Sequence, residues 1–155
     1  MHLTEILILL ENPELTEAAQ PCRDLLDRFG LRYENRNNLS IREPDALREL
    51  AQKSEENGIK LFIVFSSSAS ALVTMISAYT ILPVIGVPVS GSPLGGLDAL
   101  YSMTQVPGGV PVATLGMGTD GAKNAAVLTA QILSLSDERL RDRLRFYKQN
   151  GCSFI

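Results

Sequence analysis

The stretch from Ile81 to Gly118 constrains this chain more than any other, because it holds five of the eight prolines and eight of the twelve glycines. Two β-branched runs within it, Val84 to Val89 and Val110 to Leu115, carry prolines at or near their ends, where a missing N–H costs a sheet least. Both read as short buried strands. Between them lies Ser90-Gly91-Ser92-Pro93-Leu94-Gly95-Gly96-Leu97-Asp98, whose small residues let backbone approach backbone or ligand closely. An apolar helical turn through Leu100, Tyr101 and Met103 follows. That composition suits a binding loop, and it equally suits a connector packed against a neighbouring subunit.

At 155 residues the chain fits one domain, 1–155, able to bury roughly two-thirds of its unfolded surface. A net charge of −3 with 45% hydrophobic residues gives no polyanion-binding surface, so nucleic acid is not expected as a partner. Cys22 and Cys152 make no metal or redox spacing, and no secretory leader is evident, so a cytoplasmic protein with reduced thiols is expected. The apolar runs are broken by Pro83, Gly86 and Pro88 and fall short of the ~20 residues needed to span a bilayer.

Glu5 to Leu10 is a continuous apolar run, the pattern of a strand covered on both faces in a parallel sheet. A helix follows, with Asn12 as cap, Pro13 at its first position, an apolar face from Leu15 to Phe29, and Gly30 as stop. Leu31 to Asn35 reads as a polar edge strand. A second helix spans about Pro44 to Asn57 and a third strand Leu61 to Phe65. Ser66 to Ser70 opens a third helix ending near Tyr79. Its hydroxyls can hold an anion or act as plain caps.

The helix from about Asp120 to Leu135 is apolar over most of its circumference, more than one sheet face can bury, which places it deep in a core or between subunits. The last helix, Asp137 to about Gln149, has a single apolar stripe and reads as an outer arm. Alternation of strands and helices predicts an α/β fold: a flavodoxin-like three-layer αβα arrangement on a five-stranded parallel sheet, with a C-terminal helical arm. Ligands then bind at the carboxyl ends of the strands. The candidate site is Glu11 to Glu14, Leu39 to Arg42 and Ser66 to Ser70, with Ser90 to Asp98 alongside.

The run PVIGVPV, then Leu94, Gly96, Asp98, Leu100-Tyr101-Ser102, Gln105, Pro107, Gly109, Pro111-Val112, Thr114-Leu115 and Asn124-Ala125-Ala126, resembles the second half of the PurE family. Ser54-Glu55-Glu56-Asn57-Gly58 fits it too. These enzymes, carboxyaminoimidazole ribonucleotide mutases and aminoimidazole ribonucleotide carboxylases, move a carboxyl group in purine synthesis. The resemblance implies a flavodoxin-like sheet and an octamer.

The first half departs from the family pattern. Where the resemblance implies a Gly-Ser-x-Ser-Asp loop for the ribose phosphate, this chain has Glu11-Asn12-Pro13-Glu14-Leu15. A phosphate about 5 Å from one carboxylate is repelled by roughly 1–3 kcal/mol per charge pair at a wet surface. Where the family has Ser-Ala-His-Arg, with the acid/base histidine, this chain has Leu39-Ser40-Ile41-Arg42, and isoleucine cannot move a proton. The sole histidine, His2, stands at the terminus. The family's glycine- and alanine-rich third loop is here Ser66-Ser67-Ser68-Ala69-Ser70.

These differences set the functional expectation: a diverged relative that binds or transforms a small carboxylated molecule without a phosphate. Glu11 and Asp98 are the candidate acid/base groups. Glu11 directly follows an all-apolar strand that points it into the crevice, whereas Asp98 is also a good helix cap. Asn12, Ser40, Arg42, Ser66, Ser67, Ser68, Ser90, Gly91, Ser92, Gly95, Gly96 and Tyr101 are the candidate ligand contacts. No metal or cofactor is implied. One alternative is a non-catalytic scaffold or regulatory paralogue that co-assembles with a complete relative. Another is the family's own purine reaction by unusual means.

Overall fold

A computed structural model describes residues 4–154 of the chain. Its centre is β1 (Ile6–Leu10), in which all five residues are buried. This strand lies between β2 (Tyr33–Arg36) and β3 (Leu61–Ser66), and β4 (Val84–Pro88) and β5 (Ala113–Thr114) complete a parallel sheet of order β2-β1-β3-β4-β5. The fold is the flavodoxin-like α/β arrangement expected from the strand and helix alternation.

Side chains alternate along each strand, so two cores form. Ile6, Ile8, Leu10, Ile63, Phe65, Ile85 and Val87 face α1 (Gln20–Phe29), α5 (Gly118–Leu133) and α6 (Glu138–Gln149). Leu7, Leu9, Phe62, Val64 and Val84 face α2 (Pro44–Lys53), α3 (Leu72–Tyr79) and α4 (Leu97–Thr104). β2 is the polar edge strand expected, with three of its four residues exposed.

The first helix differs from expectation at its start. Asn12 does cap with its side chain, accepting from Glu14 N, and Pro13 does follow it, but they open a 3-10 turn over Pro13–Thr16 and α1 itself begins at Gln20. A second proline, Pro21, sits in the first turn of α1, where its missing N–H costs nothing. Gly30 ends α1 in the left-handed conformation, φ 72°. The third helix likewise starts later, at Leu72. β5 shrinks to Ala113–Thr114, because Pro107 and Pro111 supply no N–H to a ladder.

The apolar circumference of α5 is divided between neighbours. Ala122, Ala125, Ala126, Ala130 and Leu133 are buried in the first core, while Val127, Leu128 and Ile132 remain partly buried. The C-terminal helical arm is docked: Leu140, Leu144 and Tyr147 enter the same core, and Arg143 Nη1 donates to the Phe29 carbonyl at 2.8 Å. Phe29, Tyr147 and Phe154 form an aromatic cluster with ring centroids 4.9–5.3 Å apart. No helix among the described residues is long and apolar enough to cross a membrane.

Two outcomes follow from this packing. Gly121 enters the sheet side of α5 so closely that a Cβ there would strike the Gly116 carbonyl group, which is backbone and cannot swing away. Gly121→Ala is expected to destabilise the fold by about 1–3 kcal/mol in urea denaturation. Cys22 is buried, which pushes its thiol up to about 12 despite the opposing charge of Arg23, whereas Cys152 is exposed. A thiol reagent at neutral pH should label one cysteine in the native protein and two after denaturation.

Candidate functional site

The parallel register brings the carboxyl ends of the strands to one edge. Leu10 pairs with Phe65 and Ser66 with Pro88, so Glu11, Ser66 and Pro88 stand side by side at that edge. The ladder extends one step further, through Glu11 N to Phe65 O at 3.3 Å and Val89 N to Ser66 O at 2.9 Å. The Ser66 side chain is fully buried. Its hydroxyl donates to Glu11 Oε2 at 2.7 Å, with the Ser68 carbonyl oxygen a second acceptor at 3.1 Å. Glu11 is half-buried, with one carboxylate oxygen held by a hydroxyl inside the sheet edge.

The serine run serves two purposes. Ser70 is buried and its Oγ accepts from Leu72 N at 3.1 Å, a local turn one residue ahead of the α3 cap position, Ala71, which has no side-chain cap bond. Ser67 and Ser68 are half-buried beside Glu11 and Ser66. After β2 the chain turns at Ser40, whose Oγ accepts from Arg42 N at 3.1 Å and whose carbonyl accepts from Glu43 N at 3.0 Å. Arg42 is exposed on that turn, as is Ile41 at 47%. Asn12 Oδ1 is occupied by Glu14 N at 3.1 Å. His2 lies outside the described residues.

The glycine loop closes on the serine loop. A Cβ on Gly91 would lie 2.6 Å from Ser67 Cβ, so only glycine allows this approach. Gly96 has φ 88° and a Cβ there would sit 2.7 Å from the Val89 carbonyl oxygen. Gly95, also left-handed, is in open space, and Ser90 is exposed. Tyr101 is 56% exposed on α4, and Leu94 and Leu97 are exposed as well.

Asp98 lies in the first turn of α4, whose cap position is Gly96. Its Oδ1 accepts from the Ser92 hydroxyl at 2.6 Å and its Oδ2 from Ala69 N at 3.2 Å. Chiefly the Ser92 hydrogen bond holds the carboxyl below the usual aspartate range. Partial desolvation opposes this, and the amides of Ala99, Asp98 and Ala69 add to it. Among the described residues no group of three or more His, Cys, Asp or Glu is placed to hold a metal ion. A cavity of about 650 Å³ lies elsewhere, between β2 and α2 towards the amino ends of the strands, lined by Thr4, Arg36, Lys53 and Ile59 among others.

A family model described as AIR carboxylase matches residues 5–152. The chain belongs to the AIR carboxylase family. It is 46% identical over 127 residues to the N5-carboxyaminoimidazole ribonucleotide mutase of Bacillus subtilis (strain 168), covering 82% of this chain and 78% of that one. With the protein of the same name from Haemophilus influenzae it shares 40% over 136 residues, 88% of this chain and 83% of the other. The crystal structure of Treponema denticola PurE superposes with a TM-score of 0.82 at 23% identity, over 96% of this chain and 91% of that one. At that identity the likeness establishes the fold.

These AIR carboxylase relatives overturn the expectation of a small carboxylated ligand without a phosphate, because chains this similar over most of their length are named for a ribonucleotide. The physical reason is one of magnitude. Repulsion of roughly 1–3 kcal/mol per charge pair is a fraction of the ~8 kcal/mol that accompanies micromolar binding. Carboxylates at positions 11 and 14 are therefore no ground for excluding a nucleotide, and Glu11 has one oxygen engaged by Ser66.

Because the folded Asp98 carboxyl is held low, its contribution is complete above the ordinary aspartate range and is lost as pH falls through the lowered folded value. Melting temperatures measured from pH 6 downward should therefore fall more steeply for the native chain than for Asp98→Asn. Parallel curves would contradict the assignment.

Proposed function

We propose that this chain catalyses the reaction for which its relatives are named, moving the carboxyl group of N5-carboxyaminoimidazole ribonucleotide, at the carboxyl ends of β1, β3 and β4. The observation that carries the proposal is the 40–46% identity to mutases across more than four-fifths of the chain. The topology supports it: Glu11 stands at the carboxyl end of β1, where the strand order β2-β1-β3 changes direction and ligands of such sheets bind.

A carboxyl group that leaves nitrogen must be replaced there by a proton, and the atom it joins must give one up. Glu11 is the group assigned to that exchange, with Ser66 orienting it. Arg42, Ser40 and Asn12 border the crevice on the β2 side and are assigned to the ligand's anionic groups. Ser67, Ser68 and Ser90 supply hydroxyls, Gly95 leaves open space for the ligand, and Gly91, Gly96 and Ser92 shape the loop around it. Tyr101 covers the outer side. The exposed Leu94, Leu97 and Tyr101, with the partly buried Val127, Leu128 and Ile132, support self-association, as the family resemblance implies, and a cytoplasmic setting completes the reading.

A second reading is a ligand-binding paralogue without turnover, working beside a complete relative. One observation favours it: Ile41 stands exposed where the family resemblance implies histidine. Assays of the purified chain with N5-carboxyaminoimidazole ribonucleotide separate the two. Turnover is expected, with Glu11→Gln lowering kcat by about 10²–10⁴ and leaving binding within a few-fold. Tight binding with no turnover would decide for the paralogue.

A further inference from the structure

The serine loop and the glycine loop are joined by the side chain of one residue at the start of α4. Asp98 reaches from the start of α4 to the backbone of Ala69, 29 residues earlier, with one oxygen, and to Ser92 with the other. Ser92 passes the connection on, since its Oγ also accepts from Leu94 N at 3.2 Å. On the far side the serine loop is tied to β1 through Ser66 and Glu11. The chain of bonds therefore runs from Glu11 through residues 66–69 to Asp98, Ser92 and Leu94.

We propose that Asp98 is a positioning residue that holds the serine loop and the glycine loop in register, so that Glu11 and the backbone of residues 90–96 face the same ligand. Both carboxylate oxygens are engaged as acceptors, which suits a clamp and leaves neither oxygen unengaged for a proton shuttle. A carboxylate gives each of the two partners its own acceptor oxygen. An alanine offers neither, whereas an asparagine can still accept from the Ala69 amide and donate to the Ser92 hydroxyl, which accepts as well as donates. Gly91 makes the clamp possible from the other side: its missing Cβ allows contact with Ser67, and Asp98 fixes the contact once made.

This inference rests on the mutase reading for the identity of the ligand, and on the bonds alone for the clamp. Hydrogen exchange at the Ala69 amide reads the clamp directly. Asp98→Ala should raise exchange there at least tenfold while amides of β1 and β3 keep their protection, and Asp98→Asn, which still offers an acceptor, should raise it less. Calorimetric titration with aminoimidazole ribonucleotide reads the consequence. Asp98→Ala should weaken binding about tenfold and Ser92→Ala about threefold. The double variant should be no weaker than Asp98→Ala alone, because both changes break one shared interaction. Wild-type exchange at Ala69 in Asp98→Ala, or additive losses in the double variant, would overturn the proposal. If the native chain fails to bind the ribonucleotide, the mutase reading falls, and exchange at Ala69 alone still decides the clamp.

Discussion

The structure depends on the pairing of β1 with β3 inside a sheet covered on both faces. Ile6 to Leu10 and Leu61 to Phe65 are each at most 1% exposed. At about 1.5–3 kcal/mol per buried aliphatic or aromatic side chain, either strand alone contributes on the order of the net stability of a whole domain. Such a pair tolerates no shift of register, since a slip of one residue would exchange the two cores. The same fixed register sets Glu11 beside Ser66 and Ser66 beside the end of β4. The position of the candidate site is thus a consequence of how the centre of the sheet is filled.

Around that centre the loops are held by polar contacts that individually contribute little. The Glu11–Ser66 and Asp98–Ser92 bonds are short and involve a charged acceptor, which places them among the stronger hydrogen bonds, yet Glu11 and Asp98 are partly open to solvent, which weakens any single bond. Their effect is geometric. They decide where loops that could move freely come to rest, and the glycines at 91 and 96 decide how closely those loops can approach. The surface ion pairs Glu34–Arg36 and Glu49–Lys53 stand outside this arrangement and are exposed enough to contribute little.

Much of the fold was legible in the sequence because its signals are local. The unbroken apolar runs at β1 and β3, the polar edge strand and the glycine stop after Phe29 each follow from neighbouring residues. Less legible were the points where distant residues compete. The 3-10 turn at Pro13–Thr16 arises because Asn12 and Pro13 cap a turn while Pro21 opens the true helix. β5 shortened because ladder pairing with β4 reaches only Ala113 and Thr114. Topology brings Glu11 and Ser66 to the same sheet edge, but the Ser66 partner of Glu11 and the Ala69 partner of Asp98 lie 55 and 29 residues away, and no spacing rule reveals them. The error over the ligand had a different origin. A local repulsion was given the weight of an exclusion, although its size is a fraction of what a whole nucleotide can gain on binding.

A crystal structure of the chain with aminoimidazole ribonucleotide tests the central claim most directly. The account predicts the imidazole ring between the Glu11 carboxylate and the Ser67–Gly91 contact, with the Asp98 bonds to Ser92 and Ala69 intact. A ligand seated in the cavity between β2 and α2, or a crevice that stays closed to it at saturating concentration, would contradict it.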